Sequence, residues 1–215
     1  MPLHLSEIRA FLNRPGIEGP QQLCGYIPCY RKSGGTANYR GPESGGPEGF
    51  SAMGVSGVTI ATGVDLGQTD AATLERGGLD AGSVTILRPY FGLRKDDALR
   101  RLCTLPLTVS QGTADGLDTA TLGIHAGVIS ARYDRDNPAT PFEALPWQAQ
   151  AAIFSLLFQR GTGAAGKEPD IWNAFVRGDW LAASAILRDA GHWMGDQAQY
   201  RLRRRMEGEL LMEVA

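Results

Sequence analysis

Extended-chain signals in this chain end near Gly67, and almost everything after that point is written in the helical period. Residues 16–67 hold the β-branched runs and are rich in glycine and turn formers; from Asp70 onward apolar residues recur at helical spacing behind helix caps. Strands confined to one early stretch can build only a small hairpin lobe. The expected fold is therefore α+β, with that lobe packed on a larger helical lobe and a cleft between them. A chain of 215 residues that is 43% hydrophobic can bury a single sizeable core. No internal repeat or linker interrupts it, which predicts one domain over 1–215, with 16–69 as the β-hairpin lobe and 70–215 as the helical lobe.

The elements can be sketched from caps and periodicity. Ser6 to Asn13 reads as a short helix with Ile8, Phe11 and Leu12 on one face, stopped by Pro15-Gly16. Residues 31–53 lack periodicity and read as a long mobile loop. Asp70 caps Ala71 to Arg76, and two further helices are expected from Leu93 to Cys103 and from Asp118 to Tyr133. Thr140-Pro141-Phe142-Glu143 has capping-box spacing ahead of an apolar core helix, Trp147 to Arg160, which Gly161-Thr162-Gly163 ends. Asp170 and Asp179 cap Ile171 to Arg177 and Trp180 to Arg188. Asp196 opens the last helix, where Leu202, Met206 and Leu210 recur every four residues.

Composition excludes several function classes. A formal net charge of −2 gives no basic field to draw the chain onto nucleic acid. No apolar run approaches the roughly 20 residues a membrane-spanning helix needs. The stretch Met1 to Arg9 lacks the basic-then-apolar layout of a signal peptide, so the expectation is synthesis in the cytoplasm and delivery by other means. Cys24, Cys29 and Cys103 are odd in number and without metal-site spacing, so no metal or cofactor is expected; Cys24 and Cys29 are close enough to pair in an oxidising compartment, but reduced thiols are the preferred state. His125 reads as a packing residue of its helix rather than a ligand.

The chemistry is carried by Ser56-Gly57-Val58-Thr59-Ile60-Ala61-Thr62-Gly63-Val64-Asp65-Leu66-Gly67-Gln68. Val58-Thr59-Ile60 favours an extended backbone, and Gly57, Gly63 and Gly67 permit tight reversals around it. Thr59 and Ala61 point to one face, Val58 and Ile60 to the other. A hairpin here brings the hydroxyl of Thr59 to the carboxyl of Asp65, six residues on. Such a pair can hold a water, as a hydrolase requires. Upstream, Glu18 sits at a Gly19-Pro20 corner after the first short helix.

Taken together, Glu18-Gly19, Gly25-Tyr26-Ile27-Pro28 and the Ser56-to-Gln68 segment resemble the pesticin-like branch of the phage-type lysozymes. These are muramidases of bacteriocins, phage endolysins and antibacterial secretion-system effectors. The resemblance is firm from Glu18 to Gln68. It continues loosely through Phe158-Gln159-Arg160-Gly161, similar to the family's core-helix ending, and through Trp180 and the Arg201-to-Arg205 cluster. It implies the two-lobe lysozyme-like fold and the substrate, the β-1,4-linked glycan strands of peptidoglycan. By the same resemblance Glu18 is the general acid, and Thr59 and Asp65 orient and activate water on the opposite face of the sugar. That role asks for a Glu18 kept protonated by burial or by a bond favouring the acid, beside an ionised Asp65. A water-based arrangement implies inversion and a carboxyl separation of roughly 6.5–9.5 Å.

Further candidates surround that core. Tyr26 can stack on a sugar face or pack inside the lobe, Gln68 and Gln159 can bond N-acetyl or hydroxyl groups, and Arg201 can meet the acidic peptide stem. Glu18 lies 41 residues before Thr59, more than the family spacing, which makes Glu43 and Glu48 rival acids; both lie in turn-rich, apolar-poor sequence and rank below Glu18. A lytic transglycosylase and a non-catalytic cell-wall-binding or toxin-delivery module stand as alternatives. An effector implies a secretion-machine carrier and an immunity protein, an endolysin does not, and a monomer acting in the cell wall or periplasm suffices for either.

Overall fold

The structure, a computed structural model, describes residues 3–196 and 198–215. Met1, Pro2 and Gln197 lie outside it. In chain order it contains α1 (Leu5–Leu12), β1 (Gln22–Arg31), β2 (Thr36–Tyr39), β3 (Phe50–Ala52), β4 (Thr59–Ala61) and β5 (Val64–Asp65). Helices follow: α2 (Ala71–Arg76), α3 (Ala81–Leu87), α4 (Lys95–Thr104), α5 (Gln111–Asp136), α6 (Trp147–Arg160), α7 (Ala164–Lys167), α8 (Pro169–Val176), α9 (Trp180–Arg188) and α10 (Ala198–Leu211). The fold is α+β, as the early strands and later helices predict. Among the described residues, no helix is long and apolar enough to cross a membrane.

The chain forms two compact units, one of residues 20–121 and one of residues 1–19 with 122–215. The division differs from the expected 69/70 boundary because α2, α3, α4 and the start of α5 share an apolar cluster with the sheet. Leu74, Val84, Leu87, Leu99, Leu102 and Leu117 pack with Ile27, Val58, Ile60 and Leu66. Hydrophobic burial therefore groups these helices with the strands rather than with the later helices.

In the unit of residues 20–121 the sheet runs β2-β1-β4-β5, antiparallel throughout, with β3 also on β1. The expected mobile loop at 31–53 is a correction: most of it is β2, β3 and two short 3-10 turns, Pro42–Ser44 and Pro47–Gly49. Tyr39 and Phe50 anchor it, their ring centroids 5.0 Å apart and both side chains buried. Two aromatics supply apolar area that the glycine content conceals. Glu43 and Glu48 are solvent-exposed, in keeping with their low rank as acids. Val58, Thr59, Ile60 and Ala61 are all buried, so both faces of β4 are covered.

The other unit centres on α6, buried almost all round from Ala149 to Leu157. Gln150 ties α1 to it: its side-chain oxygen accepts from the His4 N–H at 3.1 Å and its amide donates to the Leu145 carbonyl at 3.0 Å. The bounds of α2, α6 and α9 agree with the sequence reading, and the Asp70 and Asp179 side chains cap α2 and α9. Several details differ. Asp170 lies inside the first turn of α8, which Glu168 precedes without a side-chain cap. The Thr140 capping box does not form, since Phe142–Ala144 is a 3-10 turn whose first N–H donates to Asp134 at 2.6 Å. α5 begins at Gln111, not Asp118, and α3, capped by Asp80, was not foreseen. His125 is exposed on α5, edge-on to Phe158 at 4.8 Å, rather than buried.

Candidate active site

The hairpin of β4 and β5 puts Thr59 opposite Asp65 and Ile60 opposite Val64. Its turn, Ala61-Thr62-Gly63, takes positive φ at Ala61 (51°) and Gly63 (78°). Alanine rarely adopts that conformation, so something must hold it. Asp118 does: buried in mid-α5, it accepts from the Thr62 N–H at 2.9 Å, from the Thr62 hydroxyl at 2.8 Å and from the Gln21 amide at 2.7 Å.

On the other side of β4, Tyr26 of β1 is the register partner of Thr59. Directly opposed residues of antiparallel strands project to the same face. Tyr26, Thr59 and Asp65 therefore form one row across three strands. The Arg40 guanidinium lies over the Tyr26 ring, 5.5 Å from its centroid, so one face of that ring is already occupied by a cation.

Asp65 is held by backbone. Its two oxygens accept from the Gly57 N–H at 3.1 and 3.2 Å, Oδ1 also from the Gly67 N–H at 2.8 Å, and Oδ2 from the Gln68 amide at 3.1 Å. The glycines are needed for close approach. A Cβ on Gly57 would stand 2.5 Å from the Leu93 carbonyl oxygen and 2.7 Å from Asp65 Oδ1; one on Gly67 would stand 2.4 Å from the same carbonyl. Thr59 Oγ1 reaches only the Gly57 carbonyl, at 3.5 Å, among the bonds described for it. That weak bond leaves the hydroxyl of a buried residue able to turn toward another partner.

Glu18, Gln159 and Arg201 belong to the other unit, and the structure brings the first two together through α10. Glu18 follows α1, its N–H donating to the Leu12 carbonyl at 3.0 Å. Its carboxylate is 21% exposed and ion-paired through Oε1 to Arg203, which is 3% exposed. This corrects the expectation of a buried acid held by a bond that favours the protonated form. Arg203 also donates to the Ser155 hydroxyl at 3.0 Å and the Ser155 carbonyl at 2.9 Å. Behind it sits Glu207, fully buried. Oε1 accepts from the Ser155 hydroxyl at 2.6 Å and from Arg203 Nε at 3.4 Å, and Oε2 accepts from Arg204 at 2.5 Å. Arg204 in turn donates to the Gln159 side-chain oxygen. Burial pulls the Arg204 guanidinium below its ordinary value, against the opposing pull of Glu207.

Arg201 stands outside this cluster: it is exposed, and its guanidinium donates to the Asp196 carbonyl at 2.6 Å. Two residues along a helix are about 200° apart, so Arg201 and Arg203 face differently. Of the Leu202–Met206–Leu210 stripe, Leu210 is buried and Met206 packs on the core, but Leu202 is 48% exposed, and Arg203, Arg204 and Glu207 are buried beside them. Sequence reading noted Arg203 and Arg204 only as part of the Arg201-to-Arg205 cluster and missed their buried pairing, Glu207 and the bracing role of Asp118. A usable signal existed: Glu207 stands three and four residues beyond Arg204 and Arg203, the spacing of helical ion pairs. Nothing local to Asp118 marks its tie to Thr62, 56 residues away.

The described residues contain no cluster of His, Cys, Asp or Glu suited to a metal ion. The three cysteines are free thiols, Cys24 exposed and Cys29 buried. A family model described as Pesticin, the bacterial toxin homologue of phage lysozyme, C-terminal, matches residues 40–181. That segment contains Thr59, Asp65, Gln68 and Gln159; Glu18, Tyr26 and Arg201 lie outside it. Comparison with curated proteins finds no match.

Proposed function

The chain belongs to the Pesticin family, bacterial toxin homologues of phage lysozyme, and from that premise we infer that it is a bacteriolytic N-acetylmuramidase. It hydrolyses the β-1,4 bond between N-acetylmuramic acid and N-acetylglucosamine in peptidoglycan. The observation that carries this reading is the register pair of Thr59 and Asp65, with the Asp65 carboxylate cradled by the Gly57 and Gly67 N–H groups. A hydroxyl facing a fixed carboxylate is suited to hold a water and take its proton as it attacks the anomeric carbon. Attack by water rather than by a carboxylate gives inversion.

Glu18 supplies the proton to the leaving oxygen. Tyr26 stacks on a sugar, and Gln68 and Gln159 bond N-acetyl or hydroxyl groups. As a toxin the protein acts as a monomer in the periplasm of a target cell after delivery, and its producer needs an immunity protein. A pull-down with the product of the adjacent gene tests that part.

Digestion of purified peptidoglycan tests the chemistry. New N-acetylmuramic acid reducing ends support hydrolysis, and anhydro-muramic ends would assign a lytic transglycosylase instead. Binding without release of fragments would leave a cell-wall-binding module. Glu18→Gln and Asp65→Asn should each abolish release, and Thr59→Ala should weaken it; parental rates in Glu18→Gln would remove Glu18 from the mechanism.

A further inference from the structure

Within the helical unit, the side chains of Glu18, Arg203, Glu207, Arg204 and Gln159 form one chain of alternating charge that ends on a neutral amide. Its middle three members are buried, at 3%, 0% and 0% exposure. As a device for stability this is poor, because desolvation of buried charges offsets most of their attraction and an apolar cluster of equal volume does as well. Its two ends are more informative. One is Glu18, the acid of the proposed reaction, and the other is Gln159, a proposed substrate contact.

Glu207 is where the two arms join. Oε1 faces Arg203 and the Ser155 hydroxyl, and Oε2 faces Arg204. With one side fixed by Glu207, Arg203 presents Nη1 to Glu18. Arg204 likewise presents Nη2 to Gln159. An arginine can only donate, so Gln159 must turn its oxygen inward. Its amide N–H groups are then left for an acceptor on the substrate. The orientation of that amide is thus set from inside the protein.

We propose that Glu207 is a positioning residue: one buried carboxylate sets the carboxylate of Glu18 through Arg203 and the amide of Gln159 through Arg204. The inference rests on the muramidase reading, in which Glu18 serves kcat and Gln159 serves binding. It separates the two arms. Loss of the Ser155 hydroxyl, which touches both Glu207 and Arg203, loosens the acid arm alone. Arg204→Lys keeps a positive charge beside Glu207 but gives up the second contact, to Gln159, and so loosens the binding arm alone.

The test is steady-state hydrolysis of soluble, uncrosslinked peptidoglycan strands, with folded fraction followed by circular dichroism and thermal melting. Misplacing a reacting group by about an ångström costs up to about a hundredfold, so Glu207→Gln should lower kcat roughly tenfold or more and also raise KM. Ser155→Ala should lower kcat about threefold or more at unchanged KM, and Arg204→Lys should raise KM about threefold or more at unchanged kcat. A purely structural role predicts losses that track folded fraction, with no such split. Folded Glu207→Gln with both constants within twofold of the parent overturns the proposal. Should Glu207→Gln fail to fold, the other two variants decide: both constants within twofold in each also overturns it. Glu18→Gln separates the two readings. If it stays active, Glu18 is not the acid and the role on which this inference rests fails; if it is dead while Glu207→Gln keeps parental constants, only the positioning role fails.

Discussion

Replacing Gly67 by alanine puts a methyl group 2.4 Å from the Leu93 carbonyl oxygen, 2.9 Å from the Gly57 Cα and 3.1 Å from Asp65 Oδ1. Gly67 is not among the glycines with positive φ, so the backbone conformation itself accepts alanine and the cost is one of space. Two of the three obstructing atoms are backbone. One belongs to a segment tied down by the Gly92 N–H on the Leu66 carbonyl at 3.1 Å and by Arg94 Nε on the Gly67 carbonyl at 2.8 Å. Little can yield cheaply, which places the penalty near the upper end of ordinary overpacking, about 3 kcal/mol. For a chain of this size that lowers Tm by about 6–12 °C. Relief of the clash also pulls the Gly67 N–H from its 2.8 Å bond to Asp65, and a carboxylate displaced by about an ångström costs on the order of a hundredfold in rate. Gly127→Ala is the matched control. Gly127 lies inside α5 with nothing within 4 Å of its missing Cβ, so alanine there should stabilise by about 0.5–1 kcal/mol and leave activity unchanged. Calorimetry and muropeptide release, run on both variants, give the comparison. A Gly67→Ala protein that melts within about 2 °C of the parent and digests at the parental rate would refute the claim that this close approach holds Asp65.

Three further outcomes are expected. Asp118→Ala removes the carboxylate that accepts from the Thr62 N–H and hydroxyl, beside a turn that carries Ala61 at positive φ, and should cost about 2–3 kcal/mol in urea denaturation, with Asp118→Asn milder because it still accepts from that N–H. Asp70 is lowered from its ordinary 3.8 by the Thr73 N–H and Asp80 by Ser83; in Asp136 burial pushes upward, but bonds from Trp172, Arg135 and Arg132 outweigh it. A folded value below the unfolded one stabilises above the unfolded value and is lost as pH falls through the folded one, so the contribution of these groups to the urea midpoint should hold down to about pH 5 and then decline, and a midpoint that rises on acidification below it would contradict the assignment. Burial pushes the Cys29 thiol up to about 11, whereas Cys24 is exposed, so an alkylating reagent at mildly alkaline pH should label Cys24 in the native protein and Cys29 only after unfolding, as peptide mapping would show.

What the sequence disclosed and what it hid follow from the range of the interactions involved. The Thr59–Asp65 pairing was legible because β-branched residues and flanking glycines specify a hairpin within ten residues, and the caps of α2 and α9 are equally local. The segment 31–53 was not, because its strands exist only by pairing with β1 and by the contact of Tyr39 with Phe50; neither appears as periodicity. α10 shows the sharper failure. Its leucines suggest an inward stripe, and Leu210 does lie in the core, yet the buried face also carries Arg203, Arg204 and Glu207, whose desolvation is offset by one another and by partners as distant as Ser155 and Glu18, 48 and 185 residues away. A hydrophobicity rule cannot find such a face, since each charge looks solvated until its partner is known. Oppositely charged residues three and four apart on a helix, beside an apolar stripe broken at one end, mark a buried ionic face, and here that face reaches two of the three candidate residues of the helical unit, Glu18 and Gln159, and not Arg201.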